Sequence, residues 1–225
     1  MREVVEKKVL NENDRLGAEL RQRYREQNIL CVNFISSPGS GKTTLLEKTL
    51  GSFAPGTSVA VLTGDLQTDN DARRLMCYGF PVRQIVTGGT CHLDARMVER
   101  HLNELGFRGP GLLFVENVGN LVCPSSYDLG EAAKIVLLSV TEGEDKPLKY
   151  PGIFHRASLM ILTKTDLLPH VEFDPKLALE NARKIHPEID YLALSSKTGE
   201  GFDQWLAWLG ALQQKIRQEA SATIS

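Results

Sequence analysis

The sequence predicts an α/β fold: a mostly parallel sheet with helices on both faces, preceded by an N-terminal amphipathic helix. Three observations predict it. From residue 29 onward short apolar runs alternate with helix-like segments. Several of those runs, among them Ile135-Val136-Leu137-Leu138 and Leu159-Met160-Ile161-Leu162, are apolar on both faces, as strands covered from two sides must be. The first run leads straight into a glycine-rich turn and then a helix. At 225 residues the chain is about 1.5 times a typical ~150-residue domain, which favours one large domain. Residues 1–28 are assigned to the helix, as part of that same domain, and 29–225 to its body.

In chain order, Val5, Val9, Leu16, Leu20 and Tyr24 recur at intervals suited to a helix from Glu3 to about Asn28, with charges of both signs between them. This helix either packs on the domain or offers a surface to another chain. Strands are predicted at Leu30–Ser36, Val59–Thr63, Val82–Val86, Leu112–Val115, Ile135–Val140, Leu159–Thr163 and Tyr191–Ser195. Helices are predicted at Thr43–Leu50, Asn70–Tyr78, Asp94–Leu105, Pro175–Ile185 and Asp203–Gln218. Glu142–Pro151, rich in charge, Gly and Pro, reads as a long surface connection. Trp205 and Trp208, with Leu206 and Leu209, are expected to pack the last helix on the sheet.

Lys+Arg 26 against Asp+Glu 28 leaves a charge of −2, so no bulk attraction draws the chain to nucleic acid or an anionic membrane. No apolar run approaches the ~20 residues of a membrane span, and the first residues lack a secretory apolar core. A cytoplasmic location is expected, without nucleic-acid or membrane partners. There the cysteines Cys31, Cys77, Cys91 and Cys123 are core residues, metal ligands or reactive thiols before they are disulfides.

The strongest local signal is Ser36-Ser37-Pro38-Gly39-Ser40-Gly41-Lys42-Thr43-Thr44, set between a strand and a helix. It reads as a phosphate-binding loop. Small residues let backbone N–H groups curl around phosphates, Lys42 reaches the β- and γ-phosphates, and the Thr43 hydroxyl can ligate Mg²⁺. The general pattern asks for Gly where this chain has Ser36. Carboxylates at neighbouring strand ends are needed to organise magnesium and the attacking water; Asp65 and Glu116 occupy such positions. No glutamine follows Glu116 to orient that water, since Asn117-Val118-Gly119-Asn120 come next, so slow intrinsic hydrolysis is expected.

Thr163-Lys164-Thr165-Asp166 resembles the Asn-Lys-x-Asp guanine motif with Thr at the first position. Asp166 would accept from N1–H and the exocyclic amine of guanine while the Lys164 stem covers the ring. Adenine lacks those donors, so discrimination of order 10⁴ is available from this contact. Ser195-Ser196-Lys197 resembles the Ser-Ala-Lys motif whose backbone reads the guanine carbonyl. Together they favour GTP over ATP, and so disfavour an ATP-dependent kinase built on the same loop.

Cys91-His92 precedes a helix, and Cys123 lies in Asn120-Leu121-Val122-Cys123-Pro124, downstream of Glu116. The three offer soft or borderline ligands for Zn²⁺ or Ni²⁺, one short of a tetrahedron, so a second chain, a water or another side chain would complete the shell. Cys31 and Cys77 are expected in the core. His101 is read as a surface residue, and His155, His170 and His186 as parts of connections. Lys146 either contacts nucleotide or a partner subunit, or is a plain solvated lysine.

With these segments in view, the chain resembles a known family. Ser36 through Thr44 with Leu45-Leu46, Gly64-Asp65-Leu66-Gln67-Thr68, Cys91-His92-Leu93-Asp94-Ala95, Val115-Glu116-Asn117-Val118-Gly119-Asn120-Leu121-Val122-Cys123-Pro124 and the run from Ser139 to Pro151 look like the hydrogenase nickel-incorporation GTPases. These accessory proteins help load nickel into [NiFe] hydrogenase. The Cys-His-Leu-Asp-Ala and Glu-Asn-Val-Gly-Asn-Leu-Val-Cys-Pro segments separate the chain from the urease accessory GTPases. The resemblance implies a P-loop GTPase fold of the signal-recognition-particle class and a homodimer promoted by GTP. It implies a Ni²⁺ or Zn²⁺ site of Cys91, His92 and Cys123 near the dimer interface, and it accounts for Ser36, which family members carry. It also implies the hydrogenase large subunit and other maturation factors as partners. Met1-Arg2-Glu3 opens the chain without the N-terminal Cys-x-x-Cys-Gly-Cys motif or histidine tract of some members, so N-terminal nickel storage is not expected. The competing reading is a nucleotide-sensing metal carrier or storage dimer with negligible turnover.

Overall fold

Helix α1 (Arg2–Glu26) precedes strand β1 (Ile29–Ser36), and a computed structural model describes residues 2–65 and 70–222, with the side chains of 7–65 and 70–219. The Val5 side chain and the Leu66-Gln67-Thr68 part of the second motif lie outside the described residues. After β1 come α2 (Lys42–Gly51), β2 (Val59–Asp65), α3 (Asn70–Met76), β3 (Val82–Val86), α4 (Ala95–Leu105) and β4 (Gly111–Glu116). The second half holds β5 (Ala133–Ser139), α5 (Lys146–Lys149), α6 (Pro151–Arg156), β6 (Leu159–Thr163), α7 (Pro175–Ile185), β7 (Asp190–Ala193) and α8 (Phe202–Ala222). Two 3₁₀ turns, Cys123–Ser126 and Thr165–His170, complete the order.

The seven strands form one sheet in the order β3-β2-β4-β1-β5-β6-β7, and every described pairing is parallel. β1 is central and buried along its whole length, which is why it is apolar at nearly every position. Its side chains alternate between two layers. Leu30, Val32 and Phe34 meet α2, α3 and α8 through Leu45, Leu50, Leu75 and Trp205. On the other face Ile29 and Cys31 meet α1 and α4 through Leu20, Tyr24, Val98 and Leu102, while Ile35 meets α6 and α7 through Phe154 and Ala178. Trp205 is fully buried, edge-on to Phe34 at 5.8 Å, and its indole N–H donates to Thr49 Oγ1 at 2.9 Å.

α1 packs in cis along its second half. Leu20 and Tyr24 are buried, Arg21 pairs with Asp128 at 2.6 Å, and buried Asn13 bridges the Asp128 carbonyl and the Ala95 N–H of α4. Two readings are corrected. Cys77 is exposed rather than in the core, because α3 turns Ala72 and Leu75 inward and ends at Met76, one residue before it. The stretch 142–151 is not a plain surface connection: it folds into α5 and the start of α6, with Pro147 buried and the Glu142 side chain only 13% exposed.

Candidate nucleotide cleft and adjacent metal cluster

β1 lies where the order of the sheet reverses, with β4 on one side and β5 on the other, and α/β sheets bind ligands at the carboxyl ends of strands at such a point. The loop leaving β1 turns through Gly39 (φ +74°) and Gly41 (φ +96°), left-handed conformations in which a side chain would be strained. Gly41 is the N-cap of α2, so the loop ends against free backbone N–H groups. Gly119 presses on this loop from the end of β4, where an added Cβ would sit 3.0 Å from Pro38 Cα.

A cleft of about 530 Å³ opens here, lined by Pro38, Gly39, Gly41, Lys42, Thr43 and Thr44 from the loop and by Asp65, Glu116 and Lys164 from neighbouring strand ends. Buried Lys42 donates to Ser36 Oγ at 2.9 Å, and burial pulls its pKa down. The Glu116 carboxylate accepts from Thr43 Oγ1 at 2.6 Å and Thr63 Oγ1 at 3.2 Å. Burial pushes its pKa up, against the pull of Lys42 and Thr43. Half-buried Asp65 ends β2 in the same cleft. Ser40 is pinned from below: its hydroxyl donates to Glu142 Oε1 at 2.8 Å and its carbonyl accepts from Thr163 Oγ1 at 2.7 Å.

Glu142 was missed by sequence reasoning because it lies in a charged stretch, and only the return of the chain past β5 brings it under the loop. Lys146 follows it there, 3.3 Å from Glu142 and 3.5 Å from Ser37 Oγ, with its ammonium over the Tyr150 ring. Asp166 and Ser195 are brought together, the Ser195 hydroxyl donating to Asp166 Oδ1 at 2.6 Å, so this serine orients the carboxylate. Ser196 is half-buried and Lys197 exposed beside them; none of these four lines the phosphate cleft, whereas Lys164 does. A larger cavity of about 720 Å³, between α1 and α8, holds none of the candidate site residues.

Cys91, His92 and Cys123 converge, with one ligand atom from each lying within 4.8 Å of the others. The two sulfurs are 2.8 Å apart and both cysteines are free. The His92 ring stacks on Tyr127 at 3.8 Å, its Nδ1 is buried without a hydrogen-bond partner, and burial lowers its pKa against the opposing pull of Asp94. An imidazole and two cysteines, which ligate as thiolates, form a donor set for a borderline divalent cation. His101 stays out of the cluster, its Nδ1 on the Met97 carbonyl at 2.8 Å. The metal loop and the loop after Glu116 are tied together. Asn117 Oδ1 accepts from Leu93 N–H at 3.1 Å, and Asn120 Nδ2 donates to the Cys91 carbonyl at 3.3 Å.

Residues 31–193 match the model of the CobW/HypB/UreG nucleotide-binding domain. Hydrogenase maturation factor HypB of Azotobacter chroococcum is 52% identical over 205 residues, which are 91% of this chain and 67% of that protein. The chain belongs to the HypB family. A crystal structure of HypB from Helicobacter pylori in complex with nickel superposes with a TM-score of 0.83 at 42% identity, over 91% of this chain and 96% of that one. The GDP complex of the signal recognition particle 54 kDa protein from Aeropyrum pernix shares the fold, with a TM-score of 0.54 at 15% identity, over 84% of this chain and 49% of that one. The chain therefore has a P-loop fold that it shares with the signal recognition particle protein. Among the described residues no helix is long and apolar enough to cross a membrane.

Proposed function

We propose that this protein is a GTP-hydrolysing metallochaperone that carries Ni²⁺, or Zn²⁺ in its place, on Cys91, His92 and Cys123 and assists nickel insertion into [NiFe] hydrogenase. One observation carries the reading: the segment leaving β4 holds Glu116, hydrogen-bonded to Thr43 of the phosphate loop, and then Cys123 of the metal cluster. A change at the γ-phosphate therefore has a short covalent route to a metal ligand.

Residues 29–225 act in this reading as one GTPase domain with residues 1–28 as part of it. Backbone from Pro38 to Thr44 cradles the phosphates and Lys42 neutralises their charge. Asp166, oriented by Ser195, reads guanine with Lys164 over the ring and the backbone of Ser196 and Lys197 beside it. Thr43, Asp65 and Glu116 offer the hard oxygen donors Mg²⁺ prefers, and the ion supplies charge neutralisation of the phosphates. Turnover is slow, because no glutamine follows Glu116 to orient the attacking water; the segment continues as Asn117-Val118-Gly119-Asn120. GTP favours a homodimer that works with the hydrogenase large subunit and other maturation factors in the cytoplasm.

The test is titration of Ni²⁺ and Zn²⁺ into the wild type and Cys123→Ala, each with GDP and with a non-hydrolysable GTP analogue, while light scattering follows mass. Nucleotide-dependent binding by a dimer, lost in the variant, is expected. Binding indifferent to nucleotide and to the substitution would leave a GTPase whose cysteines are structural. Single-turnover GTP hydrolysis separates the working switch from a storage dimer.

A further inference from the structure

Asn117 is the first residue after Glu116 and is 1% exposed. Its Oδ1 accepts two backbone protons at once, from Val118 at 3.0 Å and from Leu93 at 3.1 Å. The first belongs to the loop that follows the Thr43-bonded carboxylate; the second lies next to His92. The orientation of this carboxamide is fixed from behind. Asn117 Nδ2 donates to Asn33 Oδ1 at 3.3 Å, and Asn33 Nδ2 donates to Glu131 Oε1 at 3.2 Å. Glu131, its side chain 4% exposed, is held in turn by Lys134 at 3.1 Å and by the Leu129 N–H at 2.7 Å. This chain of polar groups crosses the apolar layer on one side of β1, between Cys31 and Ile35. Buried polar groups there are costly unless every member is paired, and a fully paired set is rigid.

Cys123 is covalently continuous with the Glu116 segment, but Cys91 and His92 belong to a different stretch, after β3. A shift of the Glu116 segment alone would pull the cluster apart at random. From this geometry we infer that Asn117 is a positioning residue that makes the Cys91-His92 loop follow the nucleotide-facing segment, so that both halves of the metal cluster respond to one event. The inference rests on the reading of the cleft and cluster as coupled GTP and metal sites. Asn120, bonded to the Cys91 carbonyl and to Val122 N–H at 2.9 Å, braces the same junction nearer the sulfurs.

Amide hydrogen exchange, read residue by residue in metal-free full-length protein saturated with GDP or with a non-hydrolysable GTP analogue, tests it. In the wild type the Leu93 and Val118 amides share one acceptor, so both should change together, by about tenfold, an effect in the range of ordinary coupling. In Asn117→Ala the Val118 amide should still respond and Leu93 should not. Asn33→Ala leaves the Asn117 acceptor on both amides but removes its hold from behind, so the Leu93 response should weaken without being lost, and it serves as the working variant if the Asn117→Ala protein does not fold. Nickel binding, followed by thiolate-to-nickel absorption, should lose its preference between the two nucleotide states in Asn117→Ala and keep a weakened one in Asn33→Ala. A wild type in which Val118 responds and Leu93 does not, or in which neither responds, overturns the inference. So does an Asn117→Ala protein whose Leu93 follows the nucleotide unchanged. If Leu93 obeys Asn117 while nickel affinity ignores the nucleotide in the wild type, the positioning role stands and the metallochaperone reading fails.

Discussion

Asp166 accepts a 2.6 Å hydrogen bond from Ser195, a residue at the next strand end, so in the proposed reading base choice depends on two loops being held in register. β6 and β7 pair in parallel up to Leu162 and Ala193, which brings those loops to the same edge. A carboxylate there accepts from both guanine donors; a carboxamide presents one donor of its own and clashes with them electrostatically. Asp166→Asn should therefore cost guanine nucleotides about 10²- to 10⁴-fold in affinity and favour xanthosine triphosphate, whose ring accepts where guanine donates. Competition binding with GTP, XTP and ATP checks this, and unchanged GTP affinity would refute the assignment of the base site. Ser195→Ala keeps the carboxylate but frees its rotation, so a smaller loss, about tenfold, is expected in the same assay.

Elements bring together what no local pattern announces. The placement of the glycine-rich loop, Glu116 and Asp166 at strand ends was legible because each lies within a contiguous motif that follows a short apolar run. Glu142 was not legible, because its function arises from packing under Ser40, far away in sequence. Cys77 was misread since an apolar residue at a helix end gives no sign of which way the chain turns after the last buried side chain. Asn13 is the same kind of case. It looks like a neutral position in a polar helix, yet at 4% exposure it joins α1 to both the Asp128 carbonyl at 3.0 Å and the Ala95 N–H at 2.8 Å. Asn13→Ala leaves both groups unpaired, and a loss of about 1–3 kcal/mol in urea unfolding is expected. Acid should weaken the same anchor. Burial pushes the Asp128 carboxyl up, but the Arg21 guanidinium and the Gly130 N–H outweigh it and hold the pKa below its ordinary value. The stabilisation is therefore complete above the unfolded value near 3.9 and is lost as pH falls through the lower folded value. With both side chains about a third exposed, it amounts to at most about 1 kcal/mol. Arg21→Met should remove that acid-dependent part of the stability, and a stability curve between pH 5 and pH 2, a window of roughly the expected width, would show it.

At the scale of the whole molecule, the sheet order places the phosphate loop after β1 between β4 and β5, and the metal cluster is drawn from the segments that follow β3 and β4 on the same carboxyl edge. In the proposed reading the two sites share a wall instead of communicating across the core. Sharing a wall has a thermodynamic consequence independent of mechanism. If a GTP analogue changes nickel affinity by some factor, nickel must change analogue affinity by the same factor, because the four states form a closed cycle. The expected coupling is about 5- to 150-fold, the usual range for linked sites. All four dissociation constants can be measured by calorimetry at several protein concentrations, so that the contribution of GTP-promoted dimerisation is separated from each leg. Both ratios should collapse to unity in Cys123→Ala, where the Glu116 segment no longer ends in a metal ligand. In Asp166→Asn supplied with a xanthosine analogue they should survive, because that substitution changes which base is read and leaves the wall intact. Ratios of one in the wild type would mean that the shared edge packs two independent sites side by side, and hydrolysis would then have no lever on the metal.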